Sequence, residues 1–142
     1  MSYESHLETH ILNRCWSVYA LLTNAFSPSD TFHLGFPSLV ETAIVSSDLQ
    51  INLRVAEGFT LLLREEYEFV MYKLEIHRYS YNLIDNSGTP IIRSDNLPYH
   101  HTDYKGHKLT HPPHHIHDKG GRVCSFSGDL KDFIDLVKDN IS

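Results

Sequence analysis

The chain has 142 residues, the size of one domain, and its 41% hydrophobic and 21% charged residues are an ordinary globular balance. Its formal charge is −6 with histidine neutral, and the eleven histidines add only about +2 to +3 at pH 7 from a reference pKa near 6.5. That sum excludes a protein that coats nucleic acid by bulk positive charge, though not a small cationic site. No apolar run approaches the roughly 18–20 residues of a membrane helix, so no membrane span is expected. The opening Met1-Ser2-Tyr3-Glu4-Ser5-His6 has no basic stretch and no small-residue cleavage site, so no secretory leader is expected. Two cysteines, Cys15 and Cys124, are too few for a disulfide framework; a reducing, cytoplasmic setting is expected.

Residues 5–26 are predicted to form a helix. Leu7, Ile11, Cys15, Val18 and Leu22 recur at spacings of three and four, with Trp16, Tyr19 and Ala20 widening the apolar stripe. Ser27-Pro28-Ser29-Asp30 stops it, and Gly35 and Pro37 favour a loop over residues 31–37. Residues 39–45 read as a weak strand. Residues 49–55 are the clearest one, because Leu49, Ile51, Leu53 and Val55 alternate with polar residues throughout. Ala56-Glu57-Gly58 predicts a hairpin turn, with the returning strand over residues 59–64. Residues 67–84 then read as one long strand. Val70, Tyr72, Leu74 and Ile76 share one face of it, and Tyr79, Tyr81 and Leu83 share a face farther on.

Residues 85–88 are a turn and 90–93 a short strand, after which no period survives from 94 to 121. Residues 129–141 close the chain as a helix, with Asp129 as N-cap and Leu130, Phe133, Ile134, Val137 and Ile141 on one face. The pattern is α+β in a single domain over residues 1–142. It comprises an N-terminal helix, a four- or five-stranded, mostly antiparallel sheet, a histidine-rich loop and a short C-terminal helix.

The long aperiodic segment holds the chemistry. Seven of the eleven histidines lie in it: His100, His101, His107, His111, His114, His115 and His117. Pro98, Pro112 and Pro113, together with the anchors Leu97, Tyr99 and Tyr104, suggest a stiffened loop, and a segment of this length inside a small domain is usually functional or disordered. An expression-tag reading fails, because the tract is neither terminal nor homogeneous. A metal site is a second reading: His115-Ile116-His117 offers two nitrogens from one extended segment, with Asp95, Asp103 or Asp118 as carboxylates, but no ligand spacing with a known geometry is present.

The third reading is acid–base cleavage of RNA through its own 2′-hydroxyl, without metal or cofactor. Two imidazoles near neutrality suit the base and the acid, each typically worth about 10²–10⁴-fold. Arg93, at a strand end, can clamp phosphate, with Arg122 a second candidate, and Tyr99 or Tyr104 can stack an unpaired base. Blander roles stand beside these. Asp95-Asn96 can simply cap a turn, and Arg93 can pair with Asp95 or Glu75. His77 and Arg78 are expected to face solvent, and Cys15 and Cys124 to pack. A nucleophilic Cys124 beside His115 or His117 is the weakest alternative.

Several elements in this region resemble a known family. Tyr79-Ser-Tyr81, Asp85-Asn-Ser-Gly88, Arg93-Ser-Asp95-Asn96-Leu-Pro98-Tyr-His100-His101 and Pro113-His114-His115-Ile-His117, in that order before a short helix, are similar to those of the TumE-type toxins of bacterial and archaeal toxin–antitoxin modules. The resemblance covers about residues 79–140, and Pro112 stands where members often carry an aromatic residue. It implies a toxin silenced by a small adjacent antitoxin, often one with a helix-turn-helix domain. The family's motif residues fall here on Arg93, Asp95, Asn96, His100, His101, His114, His115 and His117.

The expected function is thus a toxin that is a metal-independent endoribonuclease. His115 and His117 would be acid and base, Arg93 the phosphate clamp, and Asp95 and Asn96 orienters of imidazole or loop. The alternative is a non-catalytic, zinc-type metal-binding regulatory module. The expected partners are a cognate antitoxin and RNA, with self-association to a homodimer left open.

Overall fold

The spacing of Ile11, Val18 and Leu22 produces helix α1 (Tyr3–Ala25), and all three side chains are fully buried. The computed structural model describes the backbone of residues 3–26, 40–43 and 48–142, and the side chains of residues 9–26 and 49–142. The turn expected at 27–30 and the loop expected at 31–37 lie outside the described residues, as do the ends of the strand expected at 39–45. Trp16 and Tyr19 do not widen the buried stripe as expected; they are 66% and 40% exposed, stacked edge-on against each other. The helix therefore buries a narrower face than its apolar content suggests.

Seven strands follow, each hydrogen-bonded antiparallel to the next in chain order: β1 (Val40–Ala43), β2 (Asp48–Ala56), β3 (Phe59–Val70), β4 (Lys73–Asp85), β5 (Pro90–Asp95), β6 (His115–His117) and β7 (Val123–Ser125). Alternation in β2 sends Leu49, Ile51, Leu53 and Val55 to one face. The register carries that face across the sheet through Leu61 and Leu63, Tyr81 and Leu83, then Ile92 and Ser94, to Ile116. Helix α2 (Leu130–Ile141) packs there beside α1, burying Leu130, Phe133, Ile134 and Val137, and Asp129 caps its start by accepting from the Lys131 amide. The architecture is α+β, two helices on one face of an antiparallel meander.

The sheet has more strands than expected because β6 and β7 are only three residues long. One of them lies inside the segment that reads as aperiodic. The predicted single strand over 67–84 is in fact a hairpin. Met71 and Tyr72 both take left-handed backbone conformations (φ 50° and 63°) between β3 and β4, so Val70 and Tyr72 do not share a strand face. Two consecutive positive φ values define the tight turn that Asn-Gly normally supplies, and neither Met nor Tyr signals it. The two side chains are 88% and 72% exposed. The double substitution Met71→Asn, Tyr72→Gly is therefore expected to stabilise the protein by about 1 kcal/mol, read as a higher denaturant midpoint at unchanged slope.

One buried polar cluster ties α1 to the sheet. Arg14 donates from Nε and Nη2 to the two carboxylate oxygens of Glu65 (2.9 and 2.7 Å), and Tyr67 and Tyr81 donate their hydroxyls to the same carboxylate at 2.8 and 2.5 Å. Burial alone would raise the Glu65 pKa, but the guanidinium and the two phenols hold it below the ordinary value.

Candidate functional site

Strand alternation and the β5–β6 register assemble the site. Arg93 pairs with His117 and Asp95 with His115, which places these four side chains together on the sheet face opposite the helices. Their neighbours Ser94 and Ile116 point into the core, where the Ser94 hydroxyl donates to the His115 carbonyl at 2.9 Å and fixes the two strands together. The loop between β5 and β6 then returns His100 over the same face. The rings of His100, His115 and His117 form a triangle, with centroids 4.8, 5.3 and 5.0 Å apart, each pair edge to face.

The loop is ordered rather than floppy. Asp103 Oδ1 accepts the amides of Lys105 and His107, the Tyr104 amide donates to the Val123 carbonyl, and Leu109 is buried. Of the expected anchors, Leu97 is half-buried, whereas the Tyr99 and Tyr104 side chains are exposed, so backbone hydrogen bonds and Leu109 hold the loop instead.

Asp95, only 3% exposed, is the hub of the cluster. Its Oδ2 receives Arg93 Nη2 at 3.2 Å, while Oδ1 accepts the Leu97 amide at 3.0 Å and faces His115 Nε2 at 3.3 Å. His115 is 1% exposed, and its Nδ1 lies 2.9 Å from the Pro113 carbonyl. A carbonyl only accepts, so Nδ1 carries the proton, and both ring nitrogens of His115 face protein acceptors. His100 and His117 are half-buried and Arg93 is exposed. Burial lowers the His117 pKa, and the neighbouring His115 and His100 rings lower it further.

The remaining motif residues sit elsewhere. Asn96 bridges to β4, accepting the Tyr79 amide and donating to the His77 carbonyl, both at 3.1 Å, so it anchors the loop rather than an imidazole. The His101 side chain is exposed, and its carbonyl accepts the Leu109 amide. His114 stacks on Tyr79 (5.6 Å, 17°) with the phenol oxygen 2.9 Å from Nδ1. A Cβ on Gly128 would come within 2.5 Å of that nitrogen, so only glycine fits there. Tyr79 is itself pushed up to about 12 by burial. His114 is thus a packing residue outside the triangle.

Arg122 lies over the Tyr104 ring at 4.7 Å and pairs with Asp118, so its guanidinium and that ring are engaged with each other; Tyr99 is 78% exposed. Cys124 belongs to β7 and packs against the core, as does Cys15 from α1, and both are free thiols.

The sequence reading missed Arg64 and treated Arg78 only as solvent-facing. The signal available was parity: on β4 Arg78 falls in step with Ser80 and Asn82, which the register aligns with Asp95 and Arg93. A divalent ion is the other occupant the triangle can take. The ligand atoms of His100, His115 and His117 lie within 4.8 Å of one another. Around a tetrahedral ion bonded at about 2.0–2.1 Å they would stand roughly 3.3 Å apart. Holding a metal would therefore require the rings to close.

A family model described as Toxin TumE matches residues 32–141, most of the chain and all seven described strands of the sheet. The chain belongs to the TumE toxin family. The match reaches well before the motifs at 79–140, so the TumE unit includes β1 to β4 as well as the histidine region. No curated protein and no solved structure matches the chain. A toxin family implies an antitoxin partner, and no helix among the described residues is long and apolar enough to cross a membrane.

Proposed function

We propose that this TumE toxin cleaves RNA by imidazole acid–base chemistry at the His100–His115–His117 triangle. The observation that carries this reading is the convergence of three rings beside Arg93 and Asp95 in one register-locked patch. Roles follow from accessibility. His115 has both nitrogens engaged and almost no exposure, so it positions, through Asp95, rather than reacts. His117 and His100 remain as the reacting pair.

His117, favoured neutral by its surroundings, removes the proton of the 2′-hydroxyl. The 2′-oxygen then bonds to phosphorus as the bond to the 5′-oxygen breaks, and His100 delivers a proton to that leaving oxygen. Arg93 stabilises charge on the non-bridging oxygens, for which a guanidinium fork is suited. No step calls for a metal. The products are a 2′,3′-cyclic phosphate and a 5′-hydroxyl.

Cleavage by a neutral base falls as that base is protonated. Because the His117 pKa lies below its ordinary value of about 6.5, the acid limb of kcat/KM is expected to have its midpoint below pH 6.5, with a tenfold fall per unit beyond it. A profile of purified toxin on a fluorogenic oligoribonucleotide checks this; an acid limb centred at pH 7.5 contradicts it. Growth arrest on expression, relieved by the adjacent antitoxin and lost in His100→Ala and His117→Ala, tests the reading in cells.

A further inference from the structure

Four of the six arginines, Arg54, Arg64, Arg78 and Arg93, fall on the sheet face opposite the helices, in a chain of net charge −6. This follows from register. Arg54 stands across from Thr60, Arg64 from Ser80, Ser80 from Asp95, and Asp95 from His115, all in step with the residues that leave the core. Arg78 reaches the same side just where β3 carries a register shift between Glu66 and Tyr67, and such irregularities re-aim side chains beside functional sites.

Three of these guanidinium groups, from Arg64, Arg78 and Arg93, line one hollow with Glu66, Ser80 and Asp95. Arg64 is partly neutralised by Glu66 at 3.1 Å and Arg93 by Asp95 at 3.2 Å, whereas Arg78 has no ion pair among the described residues. All three are exposed. Arg93 also lines a second hollow, on the other side, with His117 and Lys119. The two hollows therefore meet at the guanidinium beside the imidazoles.

We propose that the Arg64–Arg78–Arg93 hollow is a backbone subsite for single-stranded RNA, holding the phosphates that flank the one at the histidine triangle. The proposal rests on the nuclease reading for its choice of ligand and extends it to the substrate's path. A strand of RNA would cross the sheet at right angles to β3, β4, β5 and β6, a run of roughly 14 Å from Arg64 to His115 at about 4.8 Å per strand. Guanidinium forks on a flat face recognise phosphate without reading bases. Ser80, in the same lining, adds a hydroxyl donor. A protein ligand offering carboxylates, such as an acidic antitoxin segment, is the competing occupant. The continuity of the arginines with the histidine triangle favours RNA.

The test is a binding titration of the full chain with a fluorescent oligoribonucleotide that is 2′-O-methylated throughout, so that nothing is cleaved. Dissociation constants are taken across a salt series for the wild type, for Arg64→Ala/Arg78→Ala, and for the charge-matched control Lys131→Ala/Lys138→Ala on α2. Loss of two phosphate contacts is expected to flatten the salt slope by about 1.4, at about 0.7 per phosphate on a single strand, with the control unchanged. Equal slopes in wild type and double variant overturn the subsite, as does a wild type that does not bind the oligoribonucleotide. Cleavage is scored separately on unmodified RNA. Cleavage with equal slopes leaves the nuclease reading standing without the subsite; a flattened slope with no cleavage does the reverse.

Discussion

His117→Ala is expected to lower RNA cleavage by about 10²–10⁴-fold while leaving the fold and melting temperature close to wild type. The separation of the two effects follows from the structure. His117 is half-buried at the rim of the triangle, and its ring makes no hydrogen bond among the described residues, so its truncation removes a proton acceptor from the site and little packing. His100→Ala belongs to the same class, since His100 reaches the site from the loop.

His115→Ala is different. That ring is 1% exposed, bonded to the Pro113 carbonyl and set against Asp95. Its loss leaves a buried carboxylate without its imidazole, so activity and stability are expected to fall together. Thermal melts beside single-turnover rates read this split. A His115→Ala protein that melts like wild type would show that the ring supports nothing, and a His117→Ala protein of wild-type rate would remove the base from the mechanism.

Glu65→Ala is the largest stability effect expected. It strands Arg14 and two buried phenols that now share one carboxylate, and breaking such a buried pair costs about 3–5 kcal/mol. For a domain of this size that is a drop of roughly 10–20 °C in Tm. Glu65→Gln keeps one acceptor oxygen but loses the charge and turns the other oxygen into an NH2 donor facing Arg14 and a phenol, so about 1–3 kcal/mol is expected. The pH dependence has a definite sign. The folded-state pKa of Glu65 is depressed, so its contribution is complete above the unfolded value of about 4.3 and is lost as pH falls through the folded pKa. The gap between wild type and Glu65→Gln is therefore expected to narrow below pH 4.3 in denaturant titrations. A gap that widens there would mean that the carboxylate is not held ionised by Arg14.

The elements that were legible in the sequence are those whose period is carried by apolar side chains. Ile11, Val18 and Leu22 in α1, the alternation of β2, and the Leu130–Phe133–Ile134–Val137 face of α2 with its Asp129 cap all announce themselves this way. The Asp85–Gly88 turn does so through chemistry, its carboxylate accepting the Ser87 and Thr89 amides. What escaped was set by tertiary context. The Met71-Tyr72 turn uses left-handed residues without glycine, and β6 reads His-Ile-His, so its buried ring looks polar and its strand looks like loop. Exposure of Trp16 and Tyr19 likewise depends on where α1 lands, which its own sequence does not carry.

The site divides along the same line. Clustered residue types pointed to the region and to Arg93, Asp95, His100, His115 and His117. The pairing of β5 with β6 brings Arg93, Asp95, His115 and His117 together, the loop between them adds His100, and contacts to β4 make Asn96 a loop anchor and seat His114 on Tyr79.

The chemistry of the cut ends tests the central claim most directly. Purified toxin is incubated with an oligoribonucleotide in excess chelator, and the fragments are weighed by mass spectrometry. Attack by the 2′-oxygen under imidazole control predicts 2′,3′-cyclic phosphate and 5′-hydroxyl ends, formed at the same rate with or without chelator, and no cut at a 2′-deoxy position. Fragments ending in 3′-hydroxyl and 5′-phosphate, or cleavage that appears only when a divalent ion is restored, would contradict the account.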